Sequence, residues 1–151
     1  MPLPLILAAL SPLSPAQSKN VLSVASIDKL AIRRGATGEV KIKLQLDPAY
    51  HVNSNTPSES YLIPLKITWA KEPLIAEEVS YPKPQMEKYA FSPTPLSVFS
   101  GTFEIVTRFK APADARNGPV MMPGKLRYQA CNNRECLPPR TIDVAVPTDI
   151  Q

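Results

Sequence analysis

The chain has 151 residues and a mass of 16.6 kDa, enough for one domain with a buried core. With 44% hydrophobic and 20% charged residues it is not a disordered chain, and 18 prolines against 5 glycines argue against helical bundles and doubly wound α/β folds, since an interior proline costs a helix about 3 kcal/mol. The net charge of +4 is spread over scattered Lys and Arg, without the basic stripe and interleaved aromatics of a nucleic-acid interface.

Residues 3–10 are an apolar run, and Ser14-Pro15-Ala16 follows with small residues at both ends. That order matches the apolar core and cleavage site of a secretory signal peptide. No positive charge precedes the run, and Pro4 and Pro12 interrupt it, so a Pro-rich disordered tail over 1–16 is the rival reading. The run is too short to cross a bilayer, which needs about 20 apolar residues, and no later stretch reaches that length. Residues 19–149 are expected to form one domain, exported to the periplasm or otherwise outside the cell.

From residue 20 onward the hydrophobic period is two. Residues 21–32 read as a strand or two short ones. Val40, Ile42, Leu44 and Leu46 alternate with Lys41, Lys43 and Gln45, the pattern of a strand with one buried and one wet face. Further strands are expected over residues 61–69, 75–81 and 96–109, the last interrupted near Gly101. Leu126, Tyr128 and Ala130 alternate with Lys125, Arg127 and Gln129, and Ile142, Val144 and Val146 complete the series. About seven to nine short strands separated by turn residues predict an all-β fold, an antiparallel sandwich of immunoglobulin-like type, with a barrel of similar strand count the alternative.

Two connections are long. Residues 51–60 are polar and turn-forming. Residues 82–95 hold Tyr89 and Phe91 between prolines 82, 84, 93 and 95. Aromatics on a stiffened loop serve either to plug one end of the sandwich or to act on whatever lies beneath. Trp69 reads as core, and His51, beside Tyr50 at a strand end, as loop packing.

Cys131 and Cys136 are the only cysteines. The polar segment Asn132-Asn133-Arg134-Glu135 between them is turn-prone, so they flank a tight hairpin-like turn. Cross-strand Cβ atoms lie about 4.5–5.5 Å apart and a disulfide wants about 3.5–4.5 Å, so a small adjustment permits a bridge. Closing so short a loop is worth about 2 kcal/mol, less than a staple across a long loop, which favours a redox role. Parity places Cys131 with Lys125, Arg127 and Gln129 on the polar face, as an accessible sulfur. Arg134 would favour a thiolate there and Glu135 would oppose it. One histidine and two cysteines do not complete a tetrahedral zinc site, so no metal is expected. A hydrolytic site built on His51 lacks any Gly-x-Ser-x-Gly elbow.

Tyr128-Gln129-Ala130-Cys131, with Cys136-Leu137-Pro138-Pro139 after it, resembles the cysteine motif of the N-terminal domain of DsbD-type thiol:disulfide interchange proteins. A weaker likeness runs over about residues 20–147, including Tyr50-His51-Val52-Asn53, Leu62-Ile63-Pro64 and the Pro82 turn. The resemblance implies an immunoglobulin-like domain outside the cytoplasmic membrane, whose cysteine pair cycles between disulfide and dithiol without a cofactor. Electrons would come from a thioredoxin-like protein or domain and pass to oxidised periplasmic disulfide proteins. Neither a membrane relay nor a thioredoxin-like domain is present in these residues, so the reductant is expected from elsewhere.

The resemblance also implies residue roles. Cys136 would form the mixed disulfide and Cys131 would resolve it. Met86-Glu87-Lys88-Tyr89 falls where the family carries an aliphatic residue, two acids and a cap aromatic. Tyr89, with Phe91, becomes the shield over the disulfide, and Glu87 a group for proton transfer. Lys88 departs from the second acid, and four residues separate the cysteines where the best-known members have five. The rival to the redox reading is an exported β-sandwich binding module with a purely structural disulfide.

Overall fold

The computed structural model describes residues 20–151, and among them all regular secondary structure is β. The expected signal segment over 1–16 lies outside the described residues. Twelve strands form three four-stranded sheets. The first sheet has β1 (Leu22–Ile27), β3 (Thr37–Leu46), β9 (Thr102–Lys110) and β6 (Ile75–Ser80), in that order. The second has β2 (Leu30–Ile32), β12 (Arg140–Ile150), β10 (Gly118–Tyr128) and β5 (Lys66–Trp69). Pairing is antiparallel except between β2 and β12.

The period-two pattern becomes the sandwich core. Val40, Ile42, Leu44 and Leu46 of β3 are buried while Lys41, Lys43 and Gln45 face water. Ile105 and Phe109 of β9 join them, and from the second sheet Ile67, Met122, Leu126, Val144 and Val146 complete one continuous cluster. Each such side chain contributes about 1.5–3 kcal/mol on burial. The fold is therefore an all-β immunoglobulin-like sandwich. Trp69 stands at the edge of this core, only partly buried. Its ring meets Phe109 edge-on at 4.9 Å, and its Nε1–H donates to Thr107 Oγ1 at 3.1 Å.

The third sheet has no counterpart in the sandwich expected from the sequence. It has the order β11 (Ala130–Cys131), β4 (His51–Asn53), β8 (Leu96–Ser100) and β7 (Gln85–Glu87). It grows from the end of the sandwich where β3 finishes, β9 starts and β10 finishes. Gly101, at φ 65°, turns the chain from β8 into β9. The extra strands have two or three residues each, apart from β8, and are too short to show a period. Both long connections consequently contain strand: β4 opens one and β7 lies within the other. The strand expected over 61–69 begins only at Lys66, and Leu62 and Leu65 are buried from the preceding turn. Conversely, β10 reaches back to Gly118, with Pro119 and Pro123 riding on its exposed face.

Gln129 joins the second sheet to the third. It is the single residue between β10 and β11. Its Oε1 accepts from Asn53 Nδ2 and from the Ile63 N–H, both at 3.3 Å, and its own carbonyl accepts from the Asn53 N–H at 3.4 Å. The Gln129→Ala variant removes an acceptor shared by two partly buried donors, which costs about 1–3 kcal/mol. Its urea midpoint should fall with the slope unchanged; an unmoved midpoint would show the junction is held otherwise.

Candidate redox site

Cys131 ends β11 and Cys136 lies across a tight turn from it, the two paired as an antiparallel bridge. Their sulfurs are bonded and their Cα atoms are 3.9 Å apart. Asn132 builds the turn. Its Oδ1 accepts from the N–H groups of Arg134 (2.8 Å) and Glu135 (2.9 Å), and its own N–H donates to the Glu135 carbonyl at 2.9 Å. Side-chain capture of the following amides is what Asn does in such turns. The Leu137 N–H donates to the Ala130 carbonyl at 2.8 Å and closes the base. Hydrogen bonds therefore already shape the loop that the disulfide spans.

The two sulfur-bearing residues have different surroundings. Cys136 is exposed, whereas Cys131 is only 1% exposed. This corrects the expectation of an accessible Cys131. The parity argument fails at Gln129, where β10 ends and the chain changes sheets, so the alternation of Lys125 and Arg127 does not carry through. Arg134 and Glu135 are exposed on the turn.

His51 was expected in a loop and instead lies in β4, 3% exposed and directly opposite Cys131. Opposed residues on antiparallel strands project to the same face of the sheet. Burial alone lowers the His51 pKa from 6.5 to about 4, so the imidazole is neutral at physiological pH. Tyr89 stacks on the His51 ring with centroids 4.0 Å apart and planes 15° apart. Phe91 stacks on Tyr89 at 5.6 Å and is 40% exposed, so the aromatics form a short pile from His51 outward. Tyr89 also rests on a second small core of Leu62, Leu96 and Val98.

Glu87 ends β7 on the surface, and its charge, after burial, contributes to raising the Tyr89 pKa. Lys88, the residue that departs from the family's second acid, bonds the carbonyls of Tyr89 and Ser92 through its ammonium and so braces the loop. The polar connection after β4 is anchored too. Ser54 and Ser97 share a buried hydroxyl hydrogen bond of 2.7 Å, and Ser58 Oγ accepts from the Ser97 N–H at 3.0 Å.

Among the described residues, the buried side-chain polar atoms without a hydrogen-bond partner are His51 Nε2, Asn53 Oδ1 and Tyr128 OH. All belong to β4 or to the strand leading into Cys131. His51, Asn53 and Gln129 are not among the site residues expected from the sequence. The available signal was their place in the two segments that carry the family likeness. Their partners are set by strand pairs two residues long, which no local pattern reveals.

Unfolding exposes His51, which then titrates near 6.5 instead of about 4. Between those values the unfolded chain binds more protons, so stability rises with pH. The contribution is whole above about pH 6.5 and is lost as pH falls toward 4, up to about 3 kcal/mol. Denaturant midpoints taken from pH 7 down to pH 4.5 should drop less for His51→Gln than for the parent; parallel curves would contradict the burial argument.

Comparison with known proteins places these features in a family. No curated protein matches the chain. Among solved structures, the reduced N-terminal domain of DsbD from Neisseria meningitidis is 16% identical with a TM-score of 0.47, over 77% of this chain and 82% of that one. The N-terminal periplasmic domain of ScsB from Proteus mirabilis is 18% identical with a TM-score of 0.50, over 78% of this chain but only 43% of that one. The family described as the N-terminal part of the thiol:disulfide interchange protein DsbD matches residues 18–148. With that match spanning nearly the whole of its length, the chain belongs to the DsbD N-terminal domain family.

Proposed function

We propose that this domain relays electrons by thiol–disulfide exchange through Cys131 and Cys136. The observation that carries the reading is the asymmetry of the pair, an exposed Cys136 joined to a buried Cys131 at the tip of a preformed turn. An incoming thiolate reaches Cys136, and Cys131 departs as the leaving group. The donor's second thiolate then attacks the donor sulfur of the mixed disulfide and releases Cys136, which leaves the pair reduced and the donor oxidised, and the reverse sequence delivers two electrons to an oxidised partner. Membership of the interchange family supports a thioredoxin-like donor and disulfide-bearing acceptors. Action in the periplasm agrees with the periplasmic ScsB domain of similar fold and with the apolar leader expected over 1–16. Among the described residues no helix is long and apolar enough to cross a membrane. Both sulfurs belong to the chain, so the exchange calls for no cofactor.

Tyr89 and Phe91 act in this reading as a shield over the disulfide. Tyr89 lies against His51, the strand neighbour of Cys131, which supports the role. Glu87, Arg134 and Glu135 set the local charge that a partner meets.

The deciding measurement is the reduction potential of the pair, by equilibration with glutathione or thioredoxin buffers and alkylation. A value of about −180 to −270 mV is expected; one below about −300 mV marks a structural bridge and a binding module instead. In the same assay Cys131→Ser should trap an oxidised partner on Cys136 as a mixed disulfide, and trapping only by Cys136→Ser would reverse the assignment. For the shield, Tyr89→Ala should speed reduction by a small thiol such as dithiothreitol about tenfold or more, and an unchanged rate would remove Tyr89 from that role.

A further inference from the structure

His51 is not accounted for by exchange between two sulfurs. It is the only histidine in the chain, nearly fully buried, and its Nε2 has no hydrogen-bond partner. A buried polar atom left unpaired is costly, and native structures keep few of them without a use. Its strand partner is Cys131. Directly opposed residues have Cβ atoms about 4.5–5.5 Å apart on one face, so the imidazole and the Cys131 side chain are neighbours there, and opening the disulfide frees the sulfur to turn toward a ring nitrogen. Cys131 is the sulfur that most needs help, because a thiolate buried there is unstable without a cationic or hydrogen-bonding partner.

We infer that His51 is the proton partner of Cys131, holding its proton while the sulfur is a thiolate and surrendering it as exchange completes. This rests on the redox reading above. When the reduced pair meets an oxidised acceptor, the Cys136 thiolate attacks an acceptor sulfur. The acceptor's S–S bond breaks, and its first thiolate takes a proton from water. Cys131 then attacks Cys136 Sγ with its proton held on the imidazole. The Cys131–Cys136 bond forms and the Cys136–acceptor bond breaks. The departing acceptor thiolate takes up the proton from His51. Two electrons have passed from the pair to the acceptor, which now carries two thiols.

The titratable and charged groups arranged about His51 fit this role. Tyr89 covers one ring face, and Glu87 is felt at Tyr89. Tyr50 precedes His51 in the chain, the Lys88 ammonium is engaged by carbonyls, and Arg134 and Glu135 sit outward on the turn. In the disulfide form burial is the sole cause of the shift at His51, so the imidazole starts neutral. A Cys131 thiolate adds the missing opposite charge, which raises an adjacent imidazole's pKa by about one to three units.

Because the chain has one histidine, its ring signals in a labelled full-length sample are unambiguous. Imidazole nitrogen shifts would be followed against pH in the oxidised protein and after reduction with a phosphine. The midpoint should rise by about one pH unit or more on reduction. Reduced Cys136→Ser should keep the raised midpoint, and Cys131→Ser should return to the oxidised value. Equal midpoints in both redox states, or a raised midpoint that survives Cys131→Ser, overturn the inference. Exchange with a thioredoxin dithiol alongside an unmoved midpoint defeats this inference alone. A raised midpoint without exchange upholds the pair and defeats the relay.

Discussion

The site depends on how the chain leaves one sheet and enters another without orphaning its backbone. At Gln129 the long β10 ladder stops, and two residues later Cys131 is already paired with a different sheet. A break of this kind would ordinarily strand amides and carbonyls away from water. The Gln129 side chain and carbonyl take up N–H groups of Asn53 and Ile63, so one residue holds the backbone at the crossing. The parity of Cys131, the seat of the disulfide and the pairing of β11 with β4 all follow from that junction.

The crossing produces an unequal pair of sulfur-bearing residues. Had the β10 alternation continued, both cysteines would have stood in solvent on the polar face. Instead Cys131 is drawn under the sheet beside His51 while Cys136 stays outside on the Asn132 turn. In the proposed exchange this separates the roles of attacked sulfur and leaving sulfur by environment. It also puts the chain's single imidazole opposite the buried member. The aromatic pile of His51, Tyr89 and Phe91 gives this end of the sandwich a layered build, from strand to loop to solvent.

Much of the sandwich was legible because its strands are long and half-buried. Val40 to Leu46 states its own two faces, and the break at Gly101 was visible as a glycine between two apolar runs. The cysteine turn was legible from Asn132 and its polar neighbours. The third sheet was not, because strands such as β4, β7 and β11 have no room for a repeat. The prolines of β10 concealed half a strand, since a proline on an exposed face looks like an interruption. His51 carries no local signal for a related reason. Its importance comes from a partner far away in the chain, and the strands that bring the two together are too short to predict.

The loop bearing Tyr89 and Phe91 hangs from β7, an edge strand of three exposed residues paired only with β8. None of its side chains is part of the sandwich core. Peeling it back therefore breaks a short ladder, one ring stack and the packing of Tyr89 on Leu62, Leu96 and Val98, a local opening cheaper than global unfolding. The sandwich and its disulfide turn can remain fully assembled while the aromatics swing away. In the proposed shield, stability and access to the sulfurs are thereby uncoupled: sequence changes in β7 would retune the loop without touching the core that holds the sandwich together.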